Sequence, residues 1–234
     1  MDLDAPSGPL HLPGPLIYTV PPPRSGPRDT RLQNLLAQLD PPPAAIVYLS
    51  TSGVYGDCGG DWVDEQRAAA PLTDRARRRL DAEQQIADYA TAQGIRHAIL
   101  RVPGIYGPGR LPIERLQAGT PILDPAESPW SNRIHAADLA AACHLAADKG
   151  QGVYNISDGT PGRMSEYFLA LADALGLPPP PRIGMAQAER EFSTQRLSFL
   201  RESRRLIIDR ARRELAYAPR YPSLAEGLPA SLPA

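Results

Sequence analysis

Cysteine is scarce in this chain. Two thiols in 234 residues, Cys58 and Cys143, are too few and too isolated for a disulfide framework or a metal cage. They are expected to be idle or buried in a reducing cytosol. A surplus of either charge is missing too: 25 basic against 26 acidic side chains give no reason to expect nucleic acid or an anionic membrane as partner. No apolar run reaches the roughly 18–20 residues of a membrane span, and the first residues carry no basic-then-apolar leader pattern. These absences lead to the expectation of a soluble, cytoplasmic protein without a metal site. The length allows one domain with a substantial core.

Proline is plentiful: 27 residues, bunched at Pro21-Pro22-Pro23, Pro41-Pro42-Pro43 and residues 178–181, each bunch behind an apolar segment. Proline continues neither a helix nor a central strand, so these runs punctuate elements. None is long enough to stand clear of the fold as a polyproline ligand. Between them the pattern predicts a strand over 16–20, a helix over 31–39 and a strand over 45–50. A longer helix over 72–93 ends at Gly94, and a strand over 97–102 stops at Pro103-Gly104. An alanine-rich helix over 136–147, a strand over 152–156 and a helix over 166–175 follow. Asp209 reads as the N-cap of a helix over 210–215, and Ser223 as the N-cap of a last turn. Strands alternating with helices predict an α/β, doubly wound domain with a mainly parallel sheet. In such sheets the ligand crevice lies beyond the strand C-termini, here Pro21, residues 50–53 and Pro103-Gly104.

Four ordered stretches sharpen this. They are "YLSTSGVYG" at 48–56, "ILRVPGIYGPGR" at 99–110, "RIHAADLAAA" at 133–142 and "GVYNISDGTPGRMSEYFLALADALG" at 152–176. Together they resemble the extended short-chain dehydrogenase/reductase family, the NAD-dependent epimerase/dehydratase group that acts largely on nucleotide sugars. The stretches "LIYTVPPPRSGPRD" and "SRRLIIDRARRELAYAPRYPSLAEGL" are similar to an atypical, YeeZ-like branch. The resemblance implies a single Rossmann-like domain over 1–234, with residues of about 105–132 and 157–234 forming a small substrate lobe. It also implies NAD or NADP as cofactor, a small-molecule substrate such as a nucleotide sugar or similar polyol, and a homodimer through the 72–93 helix.

Residue by residue, the resemblance puts Thr51, three before Val54, in the place of the catalytic Ser or Thr. Ser50 and Ser52 flank it near the nicotinamide ribose. Thr19 and Pro21 would run beside the cofactor pyrophosphate and ribose, and Pro103 and Gly104 would meet the carboxamide. His135 and Asp138 match the family's "HVxD" pattern, either as base and orienter or as residues that fix a helix start.

Two parts of the family pattern are missing. The chain has no G-x-G-x-x-G to meet a pyrophosphate with backbone amides. It is therefore expected to be N-terminally truncated, beginning after the family's first two βα units. "PLTDRARRRLDAE" at 71–83 aligns without a gap to "PxSxYxxxKxxxE", which puts Arg75 at the Tyr and Arg79 at the Lys of the catalytic pair. Arginine keeps its proton, so Arg75 cannot relay one, while Arg79 could still hold ribose hydroxyls or a phosphate. The cluster of Arg75, Arg77, Arg78 and Arg79 reads as a phosphate site or as a solvated helix face. Tyr55 and Tyr106, expected in loops facing the crevice, are candidates for the missing proton donor. Ser52-Gly53 stands where dehydratases often carry Asp-Glu, which leaves epimerisation or reduction. A non-catalytic module that binds a nucleotide or a partner, or a truncated gene product, is the alternative.

Overall fold

The computed structural model describes residues 2–5 and 8–233. At its centre runs the strand Ala45–Thr51, whose Ala45, Ile46, Val47 and Tyr48 are all buried. A strand covered on both faces has no solvent side to alternate toward, so its apolar residues run consecutively. It pairs in parallel with Leu16–Tyr18 on one side and Arg96–Val102 on the other, and Gly152–Asn155 completes a four-stranded sheet. The register sets Ser50 against Arg101 and Thr51 against Val102, so the two long strands end side by side. The fold is α/β and Rossmann-like, with a parallel central sheet whose strand C-termini share one edge.

The helices begin and end where side chains and glycines permit. Thr73 Oγ1 accepts the Ala76 N–H at 3.2 Å to start Asp74–Gln93, two residues later than expected, and Gly94 at φ 64° closes it. Ala82 and Ile86 of that helix, with Leu32, Leu35 and Leu36 of Thr30–Gln38, cover Ile46, Tyr48 and Ile99. The alternate residues Val47 and Leu100 face the opposite layer. There Ala136–Lys149 and Asp209–Leu215 bury Leu139, Ala142, Ala146, Ala211 and Leu215.

The expected lobe segments divide. Tyr106, Leu116, Ile122, Phe168, Leu171 and Leu228 form a cluster of their own. Ile208, Ala211, Leu215 and Tyr217 belong instead to the core of the sheet, because the spacing 208, 211, 215 puts one apolar face of the tail against it. Asp209 lies in the first turn of its helix, with Ile208 as the N-cap residue. Two-residue strands then join distant segments: Trp62–Val63 with Arg205–Leu206, and Trp130–Ser131 with Gly162–Arg163. They hold the residues just before 205 beside the strand ends. Among the described residues no helix is long and apolar enough to cross a membrane, and no group of three His, Cys, Asp or Glu could hold a metal ion. Both cysteines are free and buried.

Candidate active site

The central strand stops where Thr51 Oγ1 turns back to accept the Gly53 N–H at 3.1 Å, opening the short 3₁₀ turn Ser52–Tyr55. Thr51 and Ser52 line a cavity of about 300 Å³, with Pro103, Gly104 and Arg133 around them. A Cβ at Gly104 would stand 2.6 Å from Arg133 Nη1, so the guanidinium lies against this backbone only because residue 104 has no side chain. The C-terminal tail supplies Phe199, Glu202 and Arg204 to the same cavity.

Among the described residues Glu202 is the one carboxylate there, and its side chain is 7% exposed. Its Oε2 accepts from Arg204 Nη1 and Nη2, both at 3.0 Å, while Oε1 is buried with no hydrogen-bond partner. Sequence reasoning missed this residue. Nothing local in "RESRR" marks it; the pairing of Arg205–Leu206 with Trp62–Val63 and the hydrogen bonds of Ser203 to residues 57, 58, 60 and 130 carry it to the strand ends.

The four arginines at the start of Asp74–Gln93 have four different surroundings. Arg77 pairs with Asp74 at 2.7 Å on the surface. Arg78 is buried and donates to Gly26 O at 3.0 Å, tying down the loop after the proline triplet. Arg79 donates through Nη1 to Leu49 O at 2.9 Å and to the Tyr48 hydroxyl at 3.1 Å. Arg75 makes no hydrogen bond to the described residues; its guanidinium lies 4.2 Å from the centroid of the Phe199 ring. Partial desolvation at the cavity wall lowers the Arg75 pKa from its ordinary value, with the Glu202 charge opposing, and the side chain stays cationic. Arg75, Arg78 and Arg79 line a second cavity of about 780 Å³ together with Pro21 and Arg24, and Arg75 borders both spaces. Thr19 is exposed and lines neither.

Three expectations need correction. Tyr55 is not in a loop facing the crevice: it is 1% exposed, donates from its hydroxyl to Asn155 Oδ1 at 2.8 Å, and has Arg101 4.7 Å over its ring. Burial pushes its phenol up to about 12, so it has neither the access nor the acidity of a proton donor at neutral pH. Tyr106 is likewise buried, against Tyr167 and His135. Ser50, expected at the ribose, points away from the cavity and donates to Glu83 Oε1. Arg101 grips the same carboxylate with Nη2 at 2.7 Å and Nε at 3.2 Å, closing a buried network under the strand ends.

His135 and Asp138 serve the scaffold. His135 Nδ1 accepts the Ala137 N–H at 3.1 Å and caps Ala136–Lys149. The Asp138 carboxylate accepts the amides of Arg220 at 2.7 Å and Tyr221 at 3.0 Å, which pins the tail and leaves no base-and-orienter pair.

Known proteins extend this picture. The pattern of the NAD dependent epimerase/dehydratase family matches residues 30–157. Protein YeeZ of Escherichia coli strain K12 is 31% identical over 172 residues, which are 70% of this chain and 60% of YeeZ, so the match spans less than two thirds of that relative. A conserved protein of unknown function from Silicibacter pomeroyi superposes with a TM-score of 0.77 at 30% identity, over 92% of this chain and 75% of the other. MoeE5, solved with UDP-glucose and NAD, gives a TM-score of 0.75 at 23% identity, over 93% and 77% of the two chains. At that identity the likeness is one of fold.

Proposed function

The chain belongs to the NAD-dependent epimerase/dehydratase family, and from that premise we propose that it is a nicotinamide-dependent reductase or epimerase acting on a nucleotide sugar or similar polyol. The observation that carries this reading is the convergence of Thr51, Ser52, Pro103 and Gly104 on one cavity at the C-terminal edge of the parallel sheet. The hydroxyl pair and the bare backbone at Gly104 suit the nicotinamide and ribose end of NAD or NADP. Bound NAD or NADP would accept a hydride from, or return it to, the substrate carbon.

The chain's own residues then have defined roles. Thr51 Oγ1 already accepts from the Gly53 amide, which leaves its hydroxyl hydrogen for a substrate oxygen. Glu202 would hold Arg204 in the cavity wall through Oε2, and the proton of an oxidised substrate hydroxyl would leave to solvent. Arg79 would reach cofactor oxygens through Nε and Nη2, since only its Nη1 is engaged. The proposal includes a homodimer packed through Asp74–Gln93, which sedimentation tests.

A second reading has its own observation. Among the described residues no tyrosine or lysine lines the cavity at Thr51, so the family's proton relay has no counterpart among them, which favours a nucleotide-binding module without turnover. Titration of the purified chain with NADH and NADPH, followed by nicotinamide fluorescence, separates the outcomes. The enzyme reading expects binding of at least one cofactor and loss of turnover in Thr51→Ala at unchanged affinity. Binding without any turnover would leave the module; binding of neither cofactor would overturn the nicotinamide-dependent reading.

A further inference from the structure

Arginine supplies nearly all the positive charge of this chain: of its 25 basic residues only Lys149 is a lysine. Among the described residues nine of these guanidiniums pair with Asp or Glu. The cavity of about 780 Å³ is different, because Arg24, Arg75, Arg78 and Arg79 line it and, among the described residues, no Asp or Glu does. Each arginine carries five N–H donors. Arg24 and Arg75 give none of theirs to a described residue, Arg78 uses only Nη1 on Gly26 O, and Arg79 uses only Nη1.

Three acids nearby do not line it, although Asp29 Oδ2 and Glu202 Oε1 are buried without a hydrogen-bond partner. Asp74 is paired with Arg77 at 2.7 Å. Asp29, which acts electrostatically on Arg79, is buried and caps its own helix through the Leu32 N–H at 3.1 Å. Glu202 acts on Arg75 from the smaller cavity, where Arg204 holds it at 3.0 Å. Thr73, the N-cap of the 20-residue helix Asp74–Gln93, stands in the same wall, so the positive end of that helix adds to the field.

Guanidiniums turned toward one space repel each other until an anion joins them, and their planar forks match phosphate oxygens two at a time. We propose that this cavity is a diphosphate site, in which Arg24, Arg75, Arg78 and Arg79 hold the phosphates of a nucleotide with side chains where the fold usually uses backbone amides. Because Arg75 also borders the smaller cavity, a diphosphate seated here directs its attached sugar toward Thr51. That last extension rests on the proposed function; the anion site does not.

Isothermal titration of the full chain with inorganic pyrophosphate, ADP and UDP tests the site. Pyrophosphate should bind, and its affinity should fall steeply with added salt. The double variant Arg24→Gln/Arg75→Gln changes two exposed side chains, so it should keep the melting temperature and lose roughly tenfold or more in pyrophosphate affinity. Tighter binding of ADP than of UDP would mark a cofactor as the source of the diphosphate, and the reverse a nucleotide substrate; both uphold the site. No pyrophosphate binding by the unaltered chain, or undiminished binding by the double variant, overturns it. Pyrophosphate binding by a chain that binds neither NADH nor NADPH would sustain the site and defeat the oxidoreductase reading.

Discussion

Arg101 and Arg75 lie close to the same strand ends, and their surroundings differ in every respect. Arg101 is buried, gives three hydrogen bonds to Glu83 and covers the ring of Tyr55. The Glu83 carboxylate raises its pKa against the opposing effect of burial. Arg75 is exposed, hydrogen-bonds to none of the described residues and lies over the face of Phe199. One arginine has its donors consumed inside the fold and holds two elements together. The other keeps its donors at a cavity. The residue type is the same; the partners separate scaffold from ligand site.

Removing the partner is the strongest way to test that contrast. Glu83→Ala leaves Arg101 as a buried charge without a counterion, at a cost of about 3–5 kcal/mol in urea unfolding. Arg75→Gln, on an exposed side chain, should stay within about 0.5 kcal/mol. Equal stabilities for the two variants would remove the distinction.

Asp158 gives the next largest effect, and it is read through pH. It is 1% exposed, its Oδ1 accepts the Thr160 N–H at 3.0 Å, and its Oδ2 has no partner. Burial raises the carboxyl to about 7, against the lowering influence of that hydrogen bond and of Arg133. The folded chain therefore holds a proton that the unfolded chain releases near pH 4. Stability present below about pH 4 is lost as pH rises through 7, by at most about 1.4 kcal/mol per pH unit from this group. Asp158→Asn keeps the acceptor oxygen and should flatten that slope in denaturant melts at several pH values. A slope as steep as before would place the titrating group elsewhere.

Tyr55→Phe is a smaller perturbation with a sharper meaning. Asn155 Oδ1 loses its donor in the interior, so the variant should lose about 1–3 kcal/mol of stability while nucleotide affinity is unchanged. Wild-type stability together with abolished turnover would return Tyr55 to the chemistry.

What was legible in the sequence follows the reach of each interaction. The end of the helix Asp74–Gln93 was readable because its terminator, Gly94, acts within a turn of it, whereas its start was set two residues early because the cap Thr73 was taken as helical. The central strand was readable because both of its faces are covered, which shows as a continuous apolar run. Thr51 at the crevice follows from its place at a strand end. Ser50 was misplaced because its partner, Glu83, lies 33 residues away on a helix. Tyr55 looked like a loop residue because Asn155, which draws it inward, is 100 residues further on. Glu202 carried no local signal, since contacts with residues 56–63 and 130, all distant in sequence, place it. Side chains fixed by neighbours within a turn could be read from the chain; those fixed by topology could not.

The most direct test of the whole account is amide hydrogen exchange with and without saturating NADPH. If Thr51 and Arg75 mark the binding crevice, protection should rise in peptides covering residues 48–56, 71–80, 101–107 and 194–204. The cavity of about 520 Å³ lined by residues 108–109, 111–115 and 231–233 should stay unchanged. Protection confined to that second place, or none anywhere, would contradict the assignment of the crevice.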